Sequence, residues 1–160
     1  MPFILSFLFI GLFATVKGYQ ATTCYDGWLP FEGSCYLFGH QAAHFTEAEH
    51  FCRQHKNSHL IHIQSKAEND FIKDRLRDFK SKNWWLGLTD EFIEGTWKWF
   101  DTDQTTNFTD WYPGQPDVNP EDCAVYYPAF DFAWGDLPCS SNNYPICEIS
   151  GLHEETDIIG

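Results

Sequence analysis

Six cysteines constrain this chain more than any other feature. Cys24, Cys35, Cys52, Cys123, Cys139 and Cys147 form an even set, and they follow an apolar run from Phe3 to Val16. That run is too short to span a bilayer comfortably, and small Gly18 stands just beyond it, as a signal-peptide cleavage site requires. Residues 1–18 are therefore expected to be a signal peptide, giving a secreted, extracellular protein without membrane insertion, although Lys17 lies after the apolar run rather than before it. In an oxidising compartment an even cysteine set reads as disulfides rather than as thiol catalysis or metal binding. Six cysteines allow about 15 pairings. One of them joins Cys24 to Cys35, Cys123 to Cys139 and Cys52 to Cys147. The last bridge would close a long loop across the domain, for which the chain-entropy model gives about 4 to 5 kcal/mol.

Beyond the leader lie roughly 140 residues, one domain's worth, able to bury about two thirds of their unfolded surface. The net charge of −13 disfavours nucleic acid: acids repel a phosphate backbone, and no basic stripe is present to release its counterions. Seven tryptophans and fifteen phenylalanines point to aromatic packing in the core.

Along the chain, Tyr25 to Phe38 reads as short aromatic strands punctuated by Gly27, Pro30 and Gly33. Thr46-Glu47-Ala48-Glu49 has the form of a capping box, and Ala48, Phe51, Cys52 and His55 follow on one helical face. Leu60 to Ile63 is strand-like. Ser65-Lys66-Ala67-Glu68 opens a second helix with Phe71, Ile72, Leu76 and Phe79 as its apolar stripe. Trp84 to Leu88, Thr96 to Phe100, Cys123 to Tyr127, Phe132 to Trp134 and Pro145 to Ile149 read as strands. Between Asp101 and Asp122 lies a long polar stretch of little periodicity, and a loop of that length in a compact domain is usually functional. The sum is an α+β fold with two helices, mostly antiparallel sheets and a long loop region. Residues 19–150 form the domain, and 151–160 a short acidic tail expected to lack order.

Few kinds of chemistry fit. No cysteine is spare and no serine sits in a nucleophile elbow, so a hydrolase is disfavoured and the chain is not expected to be an enzyme. His55, His59 and His62, or His40 with His44, do not share one rigid face, as a zinc site demands, and are read as ordinary histidines. Asn107-Phe108-Thr109 is an N-glycosylation sequon on the loop, accessible in a secreted protein. Gln115, Asp117, Glu121 and Asp136 are hard oxygen donors of the kind calcium takes. An X-Pro bond turns cis readily, and a cis Gln115–Pro116 bond would aim both flanking side chains at one cation.

Trp85-Leu86-Gly87-Leu88, Gln115-Pro116-Asp117, Glu121-Asp122-Cys123, Trp134-Gly135-Asp136 and Pro138-Cys139, with the cysteine spacing, resemble the carbohydrate-recognition domain of the C-type lectins from about Cys24 to Ser150. The resemblance implies the C-type lectin-like fold, the pairing Cys24–Cys35, Cys52–Cys147 and Cys123–Cys139, and a calcium ion that two vicinal sugar hydroxyls bind directly. It makes Gln115, Asp117, Glu121 and Asp136 both the principal calcium ligands and the carbohydrate-binding residues, with Pro116 cis. Asp90, Glu94 and Asp122 match the family's auxiliary calcium positions.

Within the family, Gln-Pro-Asp resembles the galactose-type motif. An amide donates where a carboxylate only accepts, so the order of the two sets which hydroxyl pattern fits. The implied ligand is galactose or N-acetylgalactosamine on cell or microbial surfaces, in innate immune or cell-surface glycan recognition. Oligomerisation, which would add avidity, is left open.

Two positions depart from the family's pattern. Gly135 stands where the family has an Asn that binds both calcium and sugar. Gln115, Asp117, Glu121 and two oxygens of Asp136 still make about five donors, and two sugar hydroxyls complete a shell within the usual range of about six to eight. The galactose type also sets an aromatic ring against the sugar, which Val118 does not supply; Trp111, Tyr126, Tyr127 and Phe130 are the candidates. The alternative is a lectin-like domain that binds a protein or another non-sugar surface without calcium.

Overall fold

The computed structural model describes residues 21–79, 82–117 and 120–152. The expected signal peptide, Val118 and residues 153–160 of the expected tail lie outside them.

The first two strands, β1 (Leu29–Phe31) and β2 (Ser34–Phe38), form a hairpin in register Phe31 to Ser34. Its two-residue turn needs a left-handed backbone at both positions, and Glu32 and Gly33 supply φ of 42° and 90°. The first helix, α1 (Phe45–Gln54), buries Phe45, Ala48, Glu49 and Cys52. It begins earlier than the sequence suggests: His44 is the cap and its N–H donates to Glu47 at 3.3 Å, so Thr46 lies inside the first turn. Glu49 instead turns inward, where it accepts from the Leu60 N–H at 2.7 Å and pairs with Arg53 at 2.7 Å. The expected box holds at the second helix, α2 (Lys66–Phe79), where Ser65 Oγ accepts from the Glu68 N–H at 3.1 Å.

Between the helices lies β3 (His59–Leu60), and after α2 come β4 (Trp84–Thr89), β5 (Lys98–Trp99), β6 (Cys123–Tyr126), β7 (Trp134–Leu137) and β8 (Tyr144–Ser150). Their order is β1-β2-β8-β4-β6-β7, with β3 beside β8 and β5 beside β4. All pairings are antiparallel except β4 with β8. Pairing β2 with β8 joins the two ends of the domain, and the expected tail is tied down where it starts: Leu152 N donates to Thr23 O at 2.8 Å. The strand expected at Phe132 to Trp134 begins only at Trp134, because Asp131 and Phe132 adopt φ of 50° and 58° in a tight turn.

The β4 strand is buried along its whole length. A Cβ at Gly87 would stand 2.7 Å from the Leu60 carbonyl oxygen, so only glycine lets β4 and the end of β3 approach this closely. Asn69 ties α2 to β6, β7 and the long loop. Its Oδ1 accepts from Tyr126 Oη at 2.9 Å and Trp134 Nε1 at 3.2 Å, and its Nδ2 donates to Asp110 at 2.7 Å. The disulfides are Cys24–Cys35, Cys52–Cys147 and Cys123–Cys139, with no free cysteine.

Candidate functional site

The long loop does not wander over the surface. Asp110 O accepts from Trp134 N at 2.8 Å and Trp134 O from Tyr112 N at 2.8 Å, so residues 110–112 run along the start of β7 as a short parallel bridge. The chain then turns at Gly114, whose φ is 93°, and the Gln115 N–H closes the turn on Tyr112 O at 2.8 Å. The Gln115–Pro116 bond is cis. Gln115 and Asp117 thereby meet Asp136, which β7 holds opposite Ala124 of β6. The Cys123–Cys139 bridge fastens the base of these two strands.

One carboxylate oxygen each from Asp117, Glu121 and Asp136 lies within 4.8 Å of the others. The Asp136 N–H donates to Gln115 Oε1 at 3.3 Å, and the Asp117 N–H donates to Asp136 Oδ1 at 3.3 Å. The four residues assigned from the sequence are thus brought together. Two of these carboxyls hold their protons more tightly than usual. Burial pushes the Asp136 carboxyl up to about 6, with the negative charges of Asp117 and Glu121 adding to it against the opposing Asp117 N–H. Glu121 is raised too, by burial and then by Asp117. Asp136 Oδ2 is buried without a hydrogen-bond partner, an arrangement that costs stability unless a cation or another donor meets it. An amide oxygen and three carboxylates are hard donors suited to calcium rather than to a soft metal.

The auxiliary positions do not converge in this way. Asp90 is buried and spends Oδ2 on the Gly95 N–H at 2.8 Å, closing its own turn, while its N–H donates to Asp122 O at 3.1 Å. Burial raises its carboxyl, and Oδ1 has no hydrogen-bond partner. Glu94 is exposed. Among the described residues, Asp90, Glu94 and Asp122 do not form a group with ligand atoms within 4.8 Å.

The structure separates the candidate aromatics. Tyr126 is fully buried, and Trp111 packs against Trp97 and Trp134. Tyr127 and Phe130 instead belong to a stack beside the site. Phe130 lies face to face with Tyr112, ring centres 4.0 Å apart and planes 9° apart, and 4.7 Å from Tyr127. Tyr112, the outermost of the three, is 41% exposed. No spacing in the sequence singles out Tyr112, because the stack exists only where two loops meet. The stack also reaches the departing position: a Cβ on Gly135 would lie 3.4 Å from Phe130 Cε2 and 3.5 Å from Gln115 Oε1. Asn107 is exposed on the loop, well placed for modification.

Sequence reasoning missed Asp101. One ligand atom of it falls within 4.8 Å of those of His59 and His62. It lies 39 positions from His62, and nothing in either local sequence announces the pairing.

A family model described as the lectin C-type domain matches residues 41–149. Human C-type lectin domain family 10 member A is 39% identical, with the alignment covering 81% of this chain and 41% of that protein; the chain spans less than half the length of that relative. A C-type lectin of Micrurus corallinus is 34% identical over 89% of this chain and 94% of its own. The solved mouse scavenger receptor C-type lectin carbohydrate-recognition domain superposes with a TM-score of 0.73 at 32% identity, covering 81% of this chain and 99% of that one. On a family match over most of its length and the same fold in a solved relative, the chain belongs to the C-type lectin domain family.

Proposed function

We propose that this protein is a secreted, calcium-dependent glycan-binding protein of galactose or N-acetylgalactosamine type, acting in recognition of cell or microbial surfaces. The observation that carries the reading is the cluster of the Asp117, Glu121 and Asp136 carboxylates, with Gln115 Oε1 on the Asp136 N–H and Asp136 Oδ2 buried without a partner. Calcium would supply the positive charge that offsets three mutually repelling acids and would accept two sugar hydroxyls directly. The chain's own residues do the rest. Gln115 Oε1 and the Asp117 N–H fix Asp136 from both sides, and the carboxylates accept from the sugar hydroxyls. The Tyr112–Phe130 stack supplies apolar surface for a sugar face. The three disulfides and the open sequon at Asn107 fit an extracellular glycoprotein. The role is binding, not catalysis.

The test is a glycan array probed with excess calcium and again with chelator. Calcium-dependent retention on terminal galactose-type glycans is expected, and its absence on every glycan refutes the reading. A second reading, a lectin-like domain that binds a non-sugar surface without calcium, draws on Gly135, which contributes neither ligand nor donor, and on Phe130 beside it. Calorimetric titration separates the two, because this second reading predicts no calcium heat.

A further inference from the structure

Apart from the acid cluster, one other group of metal-binding side chains converges among the described residues: His59, His62 and Asp101. His59 comes from β3, His62 follows two residues after that strand, and Asp101 stands just past β5. They line one end of an open cavity of about 390 Å³ shared with Gln104, Thr106 and Asn107.

The two imidazoles are held in place. The His62 ring stacks on Trp99 with centres 4.4 Å apart and planes 22° apart, and its backbone N–H donates to Glu148 at 3.0 Å. His59 lies 4.2 Å from His62, ring centre to ring centre. Its Nδ1 is 2.9 Å from the Leu60 carbonyl oxygen. A carbonyl only accepts, so Nδ1 carries a proton, and in the neutral ring Nε2 is the nitrogen with the free lone pair. A ligating histidine shows this arrangement: one ring nitrogen donates to the backbone and fixes the tautomer of the other.

An ion pair between His62 and Asp101, 2.6 Å apart, accounts for two members of the group but gives no reason for a second imidazole with a ring nitrogen within 4.8 Å of both. Two imidazoles and a carboxylate favour zinc-like ions, whereas calcium and magnesium prefer oxygen donors alone. Tetrahedral ligands at the usual zinc distances stand about 3.3 Å apart, so Asp101 must withdraw from His62 by less than an ångström to admit the ion. Arg53 opposes the site with a guanidinium 3.8 Å from Asp101, but its nearer partner is Glu49 at 2.7 Å.

We propose that His59, His62 and Asp101 form a zinc-type transition-metal site whose fourth position faces the cavity and takes water or a donor atom from a bound molecule. This site is independent of the acid cluster and of the glycan-binding reading.

Chelator-stripped full-length protein, titrated with cobalt(II) as a visible probe, tests it. The expected result is a tetrahedral-type absorption band that saturates at one ion per chain, is bleached by zinc and is untouched by excess calcium. His59→Gln and Asp101→Asn should each weaken cobalt binding at least tenfold while retaining the wild-type near-ultraviolet dichroism. His59 is only half-buried, so the first variant leaves the core intact. No tetrahedral band in the wild type overturns the proposal. So does unchanged binding in either variant, which would place the ion on other histidines or on fewer ligands.

Discussion

Replacing Gly135 by Asn tests the candidate calcium centre at a position where the family resemblance expects Asn, and Gly135→Ala serves as control. Gly135 lies within β7 opposite Val125, in ordinary extended backbone, so a side chain meets no conformational strain. The added Cβ comes to ordinary contact distance, 3.4 Å from Phe130 and 3.5 Å from Gln115 Oε1. Removing the glycine's freedom in the unfolded chain should stabilise either variant by about 0.4–1 kcal/mol. Asn alone adds a neutral oxygen ligand next to Asp136, and a net gain of about 1.4 kcal/mol corresponds to tenfold in affinity. Calorimetric calcium titration should therefore rank Gly135→Asn about tenfold above both Gly135→Ala and wild type, with the latter two alike. Urea denaturation should show both variants at least as stable as wild type. The reasoning fails if Gly135→Ala loses more than about 1 kcal/mol, which would mean the space is filled, or if Asn binds calcium no tighter than Ala.

Other consequences arise from the packing and the buried charges. Asn69→Ala strands the Tyr126 hydroxyl and the Trp134 indole N–H in the core, at about 1–3 kcal/mol each. Urea melts should show a loss of about 2–6 kcal/mol, and a change under about 1 kcal/mol would contradict the role given to this amide. Gly87→Ala drives a Cβ to 2.7 Å from the Leu60 carbonyl oxygen, and thermal denaturation should record a destabilisation of about 2 kcal/mol or more; a neutral result would mean that β4 shifts freely. Burial, working against hydrogen bonds from the Gln64 N–H and Tyr36, raises the Glu68 carboxyl above its ordinary 4.5. The folded state then holds the proton more tightly than the unfolded one. This contribution is fully present below the unfolded value and is lost as pH rises through the folded value. Wild type should lose stability relative to Glu68→Gln across that window, and a pH-independent difference between the two would refute the assignment.

Much of the frame was legible because it depends on local chemistry. The cap at Ser65 depends on neighbouring residues, as does the tight turn at Gly33. The strand content of Trp84 to Leu88 follows from a continuous apolar run. Part of the acid cluster was legible for a related reason: Gln115 and Asp117 flank one proline, and Glu121 follows within a few residues, whereas Asp136 was placed with them only by the family resemblance. Local pattern failed where tertiary contacts overrode it. Thr46 yields the cap to His44 because Glu49, the acid expected to close the box, is drawn inward to the Leu60 N–H. The strand expected from Phe132 starts at Trp134 because the preceding turn places two residues at positive φ.

The sequence alone determined that this chain is a disulfide-framed α+β domain carrying an oxygen-rich cluster with one glycine at its wall. The frame is written in residue type and short spacing, and Asp136 and Gly135 were placed at the cluster by the family resemblance. Only the tertiary structure decided which aromatic rings flank that cluster and that Asp136 buries an unpartnered oxygen. It also decided that the side chains of Asp90, Glu94 and Asp122 form no ligand group among the described residues, while Asp101 joins two histidines far back in the chain. Each of these depends on where separate loops land on a closed sheet, and that is fixed by the packing of the whole core rather than by any stretch of sequence.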